Sequence, residues 1–237
     1  MNKLTLDRIL QSQGFGSRKQ CRKLIENEAV SIAGEIFSDT KTAIETDGLE
    51  FTIFDQQYTY RKHLYIALNK PADFECTRNP SHNRSILNIL PPEFIRRNIQ
   101  PVGRLDNDTT GLLLFSDDGA FIHTQSSPKR QIQKVYVVKT FDPVTSELIE
   151  LLLNGVQLHR EPALLAAKTC RKLDEHHLEI VVEQGKYHQI KRMVVAAGNH
   201  CTSLNRSQIG NLKLETLGLK AGEWCYLDEP KLALLAT

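Results

Sequence analysis

Apolar residues recur at helical spacing near the start of the chain: Leu6, Ile9 and Leu10 follow Thr5, a residue suited to capping, and Gly14 and Gly16 then break the segment. A short first helix is expected. Ser17 with Gln20 three residues later forms a capping-box pattern ahead of Cys21, Leu24 and Ile25, which places a second helix from about Arg18. Val30 and Ile32 alternate with Ser31 before Ala33-Gly34 and Ile36, the pattern of a small hairpin. Residues 51–63, FTIFDQQYTYRKH, are polar and partly basic and are read as a linker, leading to an apolar strand, 64–68, that stops at Asn69-Lys70-Pro71. Beyond it, strand-like segments at 112–115, 134–139 and 178–183 alternate with helix-like ones at 143–153 and 187–197, with Gly155 and Gly198 as C-caps. The expectation is an α+β chain of two domains, 1–59 and 60–237. No internal repeat or low-complexity segment is present.

Composition narrows the class. At 237 residues, 41% hydrophobic and 24% charged, the chain has ample apolar side chains for a folded core. No apolar run approaches a membrane span, and MNKLTLDRILQSQG lacks the features of a secretory signal, so a cytoplasmic protein is expected. The five cysteines are an odd number with no C-x-x-C pair, and His176-His177 comes without H-E-x-x-H spacing. Neither a disulfide framework nor a metal site is indicated. Nucleotide-binding strings of the G-x-x-x-x-G-K-[ST] and G-x-G-x-x-G types do not occur.

Charge changes the picture through its distribution, since the formal net charge is only +2. Residues 1–23 carry six Lys/Arg against Asp7, whereas residues 24–57 carry Lys41 against eight acids. On the second helix Arg18, Lys19, Arg22 and Lys23 share one arc, next to the apolar arc of Cys21, Leu24 and Ile25. Most such runs are solvated helix faces; phosphate binding is the competing account. The order of two helices, the second basic, and then V-x-I-x-G resembles the S4 RNA-binding domain, which implies RNA contacts for Arg18, Lys19, Arg22 and Lys23.

The densest polar string is PVGRLDNDTTGLLLFSDDG, 101–119, immediately before an apolar strand. Gly, Asn and Asp alone would mark a turn. The full string G-R-L-D-x-D-T-T-G-L, however, resembles the catalytic loop of pseudouridine synthases. Lys134-Val135-Tyr136 is similar to that family's K-x-Y strand, and 183–193, EQGKYHQIKRM, to its later basic motif. The resemblance implies an isomerase without a cofactor, because no redox change occurs, in which a mixed, mostly antiparallel sheet with flanking helices forms the catalytic domain. Asp106 would be the catalytic carboxylate, acting by attack at C1′ or by a glycal route. Tyr136 would stack on the flipped uracil. Lys191, or alternatively Arg192, would keep Asp106 ionised, as a carboxylate shielded from water requires a cation. Arg104 and Arg192 are further RNA-contact candidates. The strings D-x-D-T-T-G-L, GVQLH (155–159), 185–193 and A-A-G-N-H (196–200) are most similar to the ribosomal small-subunit branch, which implies uridine 516 of 16S ribosomal RNA, free or in a small-subunit assembly intermediate, as the target of a monomeric enzyme. A large-subunit (23S) synthase and a non-catalytic S4-type RNA-binding or ribosome-assembly protein are the alternatives.

Overall fold

The structure, a computed structural model, describes residues 3–235. The chain forms two compact units: one runs to Leu64 and takes in Ile89–Gln100, and the other comprises Tyr65–Asn88 and the chain from Pro101 onward.

In the first unit the helices Leu6–Ser12 and Arg18–Glu26 appear where the apolar spacing places them. Ser17 and Gln20 complete the capping box, satisfying the otherwise unpaired amides of the helix start. Thr5 holds the N-cap position but makes no cap hydrogen bond; its hydroxyl donates to Asp7 Oδ1 at 2.6 Å. The linker expected at 51–63 is instead largely sheet. Glu50–Ile53 and Gln56–Thr59 form a hairpin and join Val30–Ile32 and Glu35–Ile36 in a four-stranded antiparallel sheet. The cause is the alternation within the segment: Phe51 and Ile53 point into the core formed with Leu6, Ile9, Leu10 and Ile25, and Tyr58 stacks on Phe51. A single cut near residue 60 also misses the short helix Pro92–Arg96, which belongs to this unit. Arg96 donates to Gly14 O, and Arg97 donates to Gln13 Oε1 and Lys62 O. Gly14, at φ +87°, lies so close to Glu93 that a Cβ would fall 2.1 Å from its carbonyl oxygen.

In the second unit a mixed sheet takes its strands in the order Thr169–Lys172, His177–Val182, Lys134–Thr140, Cys201–Ile209, Thr110–Ser116, Tyr65–Lys70, Trp224–Tyr226. Neighbours along this path are antiparallel except Thr110–Ser116 and Cys201–Ile209, which run parallel. Thr110–Ser116 is central. All its residues after Thr110 are buried, which explains the uninterrupted apolar run in its sequence. One core cluster gathers Ala67, Leu112, Leu114, Ile132, Ile209 and Leu227. The helices Ser146–Asn154 and Gln189–Ala196 lie within the expected 143–153 and 187–197, give or take a residue.

Candidate active site

The polar string 103–109 is a loop that enters the central strand at Thr110. Lys70, the last residue of the neighbouring strand, organises it. Its side chain is fully buried, and Nζ donates to Asn107 O and Thr109 O at 2.9 Å each and to Pro71 O at 3.0 Å. Burial lowers the pKa of this ammonium, while the nearby acids oppose that shift. Three carbonyls thus replace the water that the cation has lost. Gly111, at φ +102°, allows the parallel strand to approach: a Cβ there would lie 2.3 Å from Arg206 O.

Asp106 projects from this loop with its side chain a quarter exposed. Lys191, on the helix Gln189–Ala196, places Nζ 3.2 Å from Asp106 Oδ2 and 2.6 Å from Asp108 Oδ1. The cation therefore bridges two carboxylates. Desolvation works against it, but the two acids hold the Lys191 ammonium above its ordinary pKa, so it stays charged at neutral pH. Asp108, despite burial that would raise it, is held below the usual carboxylate range by the Lys191 hydrogen bond. His188 Nε2 lies 3.3 Å from the other oxygen of Asp106. Arg192 faces elsewhere: its guanidinium donates to Tyr187 O and His159 O and lies 3.8 Å from Glu161. Of the two cations left open by the sequence, Lys191 is the one placed against Asp106.

Asp106 borders a cavity of about 180 Å³ whose other walls include Tyr136, Lys134, Arg206 and the 183–190 segment. Tyr136 stands on the strand Lys134–Thr140 and is 9% exposed. Arg104 lines the same cavity and is exposed. Asp106, Lys191 and Tyr136 come from a loop, a helix and a strand far apart in sequence, and with Arg104 they meet at or beside one cleft. Such convergence of charge and an aromatic wall on a concave site suits a planar, polar ligand.

Comparison with known proteins agrees with this geometry. A family model described as RNA pseudouridylate synthase matches residues 64–196. An uncharacterized RNA pseudouridine synthase of Bacillus subtilis (strain 168), YtzG, is 33% identical over 98% of both chains. The chain belongs to the RNA pseudouridine synthase family. Ribosomal small subunit pseudouridine synthase A of Vibrio vulnificus is 33% identical, covering 97% of this chain and 98% of the relative, and that of Escherichia coli (strain K12) is 32% identical, covering 97% and 99%. A crystal structure of a pseudouridylate synthase superposes with a TM-score of 0.69 at 31% identity, covering 98% of this chain and all of the other.

Several residues that meet around Asp106 carry no role in the sequence pattern alone. Asp108 was legible as the second acid of D-x-D, and His188 as a neighbour of Lys191 one helical turn away. Lys70 and Arg206 gave no local signal, because their positions depend on strand pairing. The basic arc of the first unit is partly engaged within the chain. Arg18 Nε and Arg22 Nε both donate to Asp7 Oδ2, at 2.7 and 2.8 Å, and Asp7 is 1% exposed. Burial would raise the Asp7 carboxyl, yet the hydrogen bonds from Thr5, Arg18 and Arg22 hold it well below the usual range. Half of the basic arc is therefore tied to a buried acid. The guanidinium groups remain partly exposed, and Lys19 and Lys23 are exposed alongside them.

Among the described residues no helix is long and apolar enough to cross a membrane.

Proposed function

We propose that this synthase converts uridine 516 of 16S ribosomal RNA to pseudouridine in the cytoplasm, as a monomer, with Asp106 as the catalytic carboxylate. The observation that carries the catalytic assignment is the Lys191 ammonium 3.2 Å from Asp106, at the edge of a cleft walled by Tyr136. The names of the Vibrio and Escherichia relatives support the small-subunit target. In this reading the target nucleotide leaves its stack and enters the cleft, and its uracil lies against Tyr136. Asp106 then acts on the ribose, oriented by Lys191 and His188. The first unit serves as an S4-like module whose basic arc holds RNA phosphates, Arg104 contacts the RNA at the cleft mouth, and Arg192 sets the shape of the 159–161 segment beside it.

The purified protein, incubated with 16S transcript, 23S transcript or a small-subunit assembly particle, should create one carbodiimide-dependent primer-extension stop, at position 516 of the small-subunit RNA. A stop confined to the 23S transcript would move the target to the large subunit. Binding without any stop would make the protein a non-catalytic RNA binder.

Tyr136 separates stacking from packing. Tyr136→Phe keeps the ring and should bind RNA as the wild type does, whereas Tyr136→Ala should lose about 1–3 kcal/mol of base stacking, a complex weaker by roughly fivefold to 150-fold. Equal and mild effects in a filter-binding titration would make Tyr136 a packing residue of the half-buried strand.

Phosphate contacts are best probed through the lysines, because removing Arg18 and Arg22 would strand the buried Asp7. Lys19→Ala/Lys23→Ala should lower the log–log salt slope of RNA binding by roughly 1.4, about 0.7 per phosphate, without changing the saturated rate. An unchanged slope would make this arc a solvated helix face.

A further inference from the structure

Arg206, on the strand Cys201–Ile209, is 4% exposed. Its Nε donates to Leu112 O at 2.8 Å, whereas its buried Nη2 has no hydrogen-bond partner among the described residues. The guanidinium carbon lies 6.0 Å from the centre of the Tyr136 ring, and both residues line the cleft beside Asp106. Lys134 lines it too, with no hydrogen bond or ion pair to its ammonium among the described residues. Burial, with the Arg206 charge adding to it, pushes the Lys134 ammonium down to about 8. The acids at the cleft are engaged with other groups: Glu183 with Gln133 and Lys168, and Asp106 with Lys191 and His188. Two cations thus converge on the aromatic wall with no anion to meet them. Sheltered donors left in this way are costly unless a ligand completes them.

We infer that Arg206, with Lys134 beside it, receives the negative charge that develops on the uracil when its bond to the ribose breaks. This rests on the functional reading above. Heterolysis of N1–C1′ leaves the electron pair on the base, an anion shared among N1, O2 and O4. The electron-poor C1′ is relieved by Asp106, which bonds to it or takes the C2′ proton. The anion turns, C5 bonds to C1′ as Asp106 is released or returns the proton, and the C5 proton is lost to solvent while N1 gains one. No atom is gained or lost overall. The unpartnered Nη2 of the guanidinium can donate to one carbonyl oxygen of the base, O2 or O4, and donors aimed at charge that appears only during reaction act on rate rather than binding. A backbone phosphate is the weaker candidate, because Arg206 is buried beside the ring on which the base lies, whereas the exposed Arg104 is at the mouth.

Single-turnover kinetics on target RNA carrying uridine or 5-fluorouridine, read as consumption of the target nucleotide, test this, since the fluorinated base is the better leaving group and, with no C5 proton to lose, goes as far as the new C5–C1′ bond. Arg206→Met should slow reaction of the uridine RNA by about 100-fold at saturation with little change in half-saturating concentration. Arg206→Lys should recover part of that loss. Lys134→Met should slow it about tenfold, and it decides the matter alone if circular dichroism shows Arg206→Met unfolded. With 5-fluorouridine each deficit should shrink several-fold. Unaffected rates would overturn the inference, as would a defect confined to half-saturation and salt slope and equal on both RNAs, which marks phosphate binding. A wild-type protein inactive on both RNAs would overturn the functional reading and this inference with it, whereas an active wild type with unaffected variants overturns the inference alone.

Discussion

Asp106→Asn is expected to abolish pseudouridine formation, with a loss on the order of 10⁴-fold, while leaving the fold and RNA binding intact. Asparagine keeps the size and much of the hydrogen bonding of the side chain but can neither bond to C1′ as a carboxylate nor take a proton. The fold should tolerate the change because Lys191 keeps its shorter contact, 2.6 Å to Asp108, and the side chain of Asp106 is a quarter exposed. A change in stability of about 0.5 kcal/mol or less is expected. The check pairs a rate measurement with a melting curve and an RNA titration on the same preparation. Turnover near the wild-type rate would remove Asp106 from the chemistry.

The second large effect is expected from Lys70→Met, a residue that lies behind the loop and touches no substrate. Methionine fills similar volume but leaves the carbonyls of Pro71, Asn107 and Thr109 without their shared donor. A buried acceptor stripped of its partner costs about 1–3 kcal/mol, so a loss of about 3 kcal/mol in unfolding free energy is expected. Because Asn107 and Thr109 flank the segment that carries Asp106, the loop should also shift. A displacement near 1 Å is enough to slow the reaction on the order of 100-fold. Denaturant unfolding and saturating turnover measured side by side separate the two effects. Full activity in a destabilised variant would confine Lys70 to holding the fold.

Legibility in the sequence followed the range of the interaction. The helix starting after Ser17 could be placed because its capping box and apolar face lie within nine residues of one another. The strand Thr110–Ser116 and the loop before it were visible because their composition is extreme. Residues 51–63 were misread, because polar Gln56, Gln57 and Thr59 masked the inward alternation of Phe51 and Ile53, which becomes decisive only when Val30–Ile32 pairs alongside. Cys201–Ile209 carries no strand signal for a related reason: Ser203, Asn205 and Ser207 interrupt its apolar pattern, although the strand is held on both sides by neighbours from distant parts of the chain. Arg206 went unnoticed with it.

The site shows the same division. Asp106, Tyr136 and Lys191 were legible through the strings around them, whereas the choice between Lys191 and Arg192 needed helix phase relative to the loop. Adjacent residues on a helix point about 100° apart, so only one of the pair can face Asp106. Arg192 consequently holds the carbonyls of Tyr187 and His159. The basic arc was legible as charge, but its tie to Asp7 was not, since Asp7 belongs to the preceding helix and reads there as an ordinary first-turn acid.

The central claim is tested most directly by pseudouridine mapping of ribosomal RNA from cells lacking this gene, complemented with the wild-type chain or with Asp106→Asn. The expected result is an unmodified uridine 516 in the 16S RNA of the deletion strain, restored by the wild type and not by the variant, with all other sites unchanged. A fully modified uridine 516 in the deletion strain, or its restoration by Asp106→Asn, would contradict the assignment.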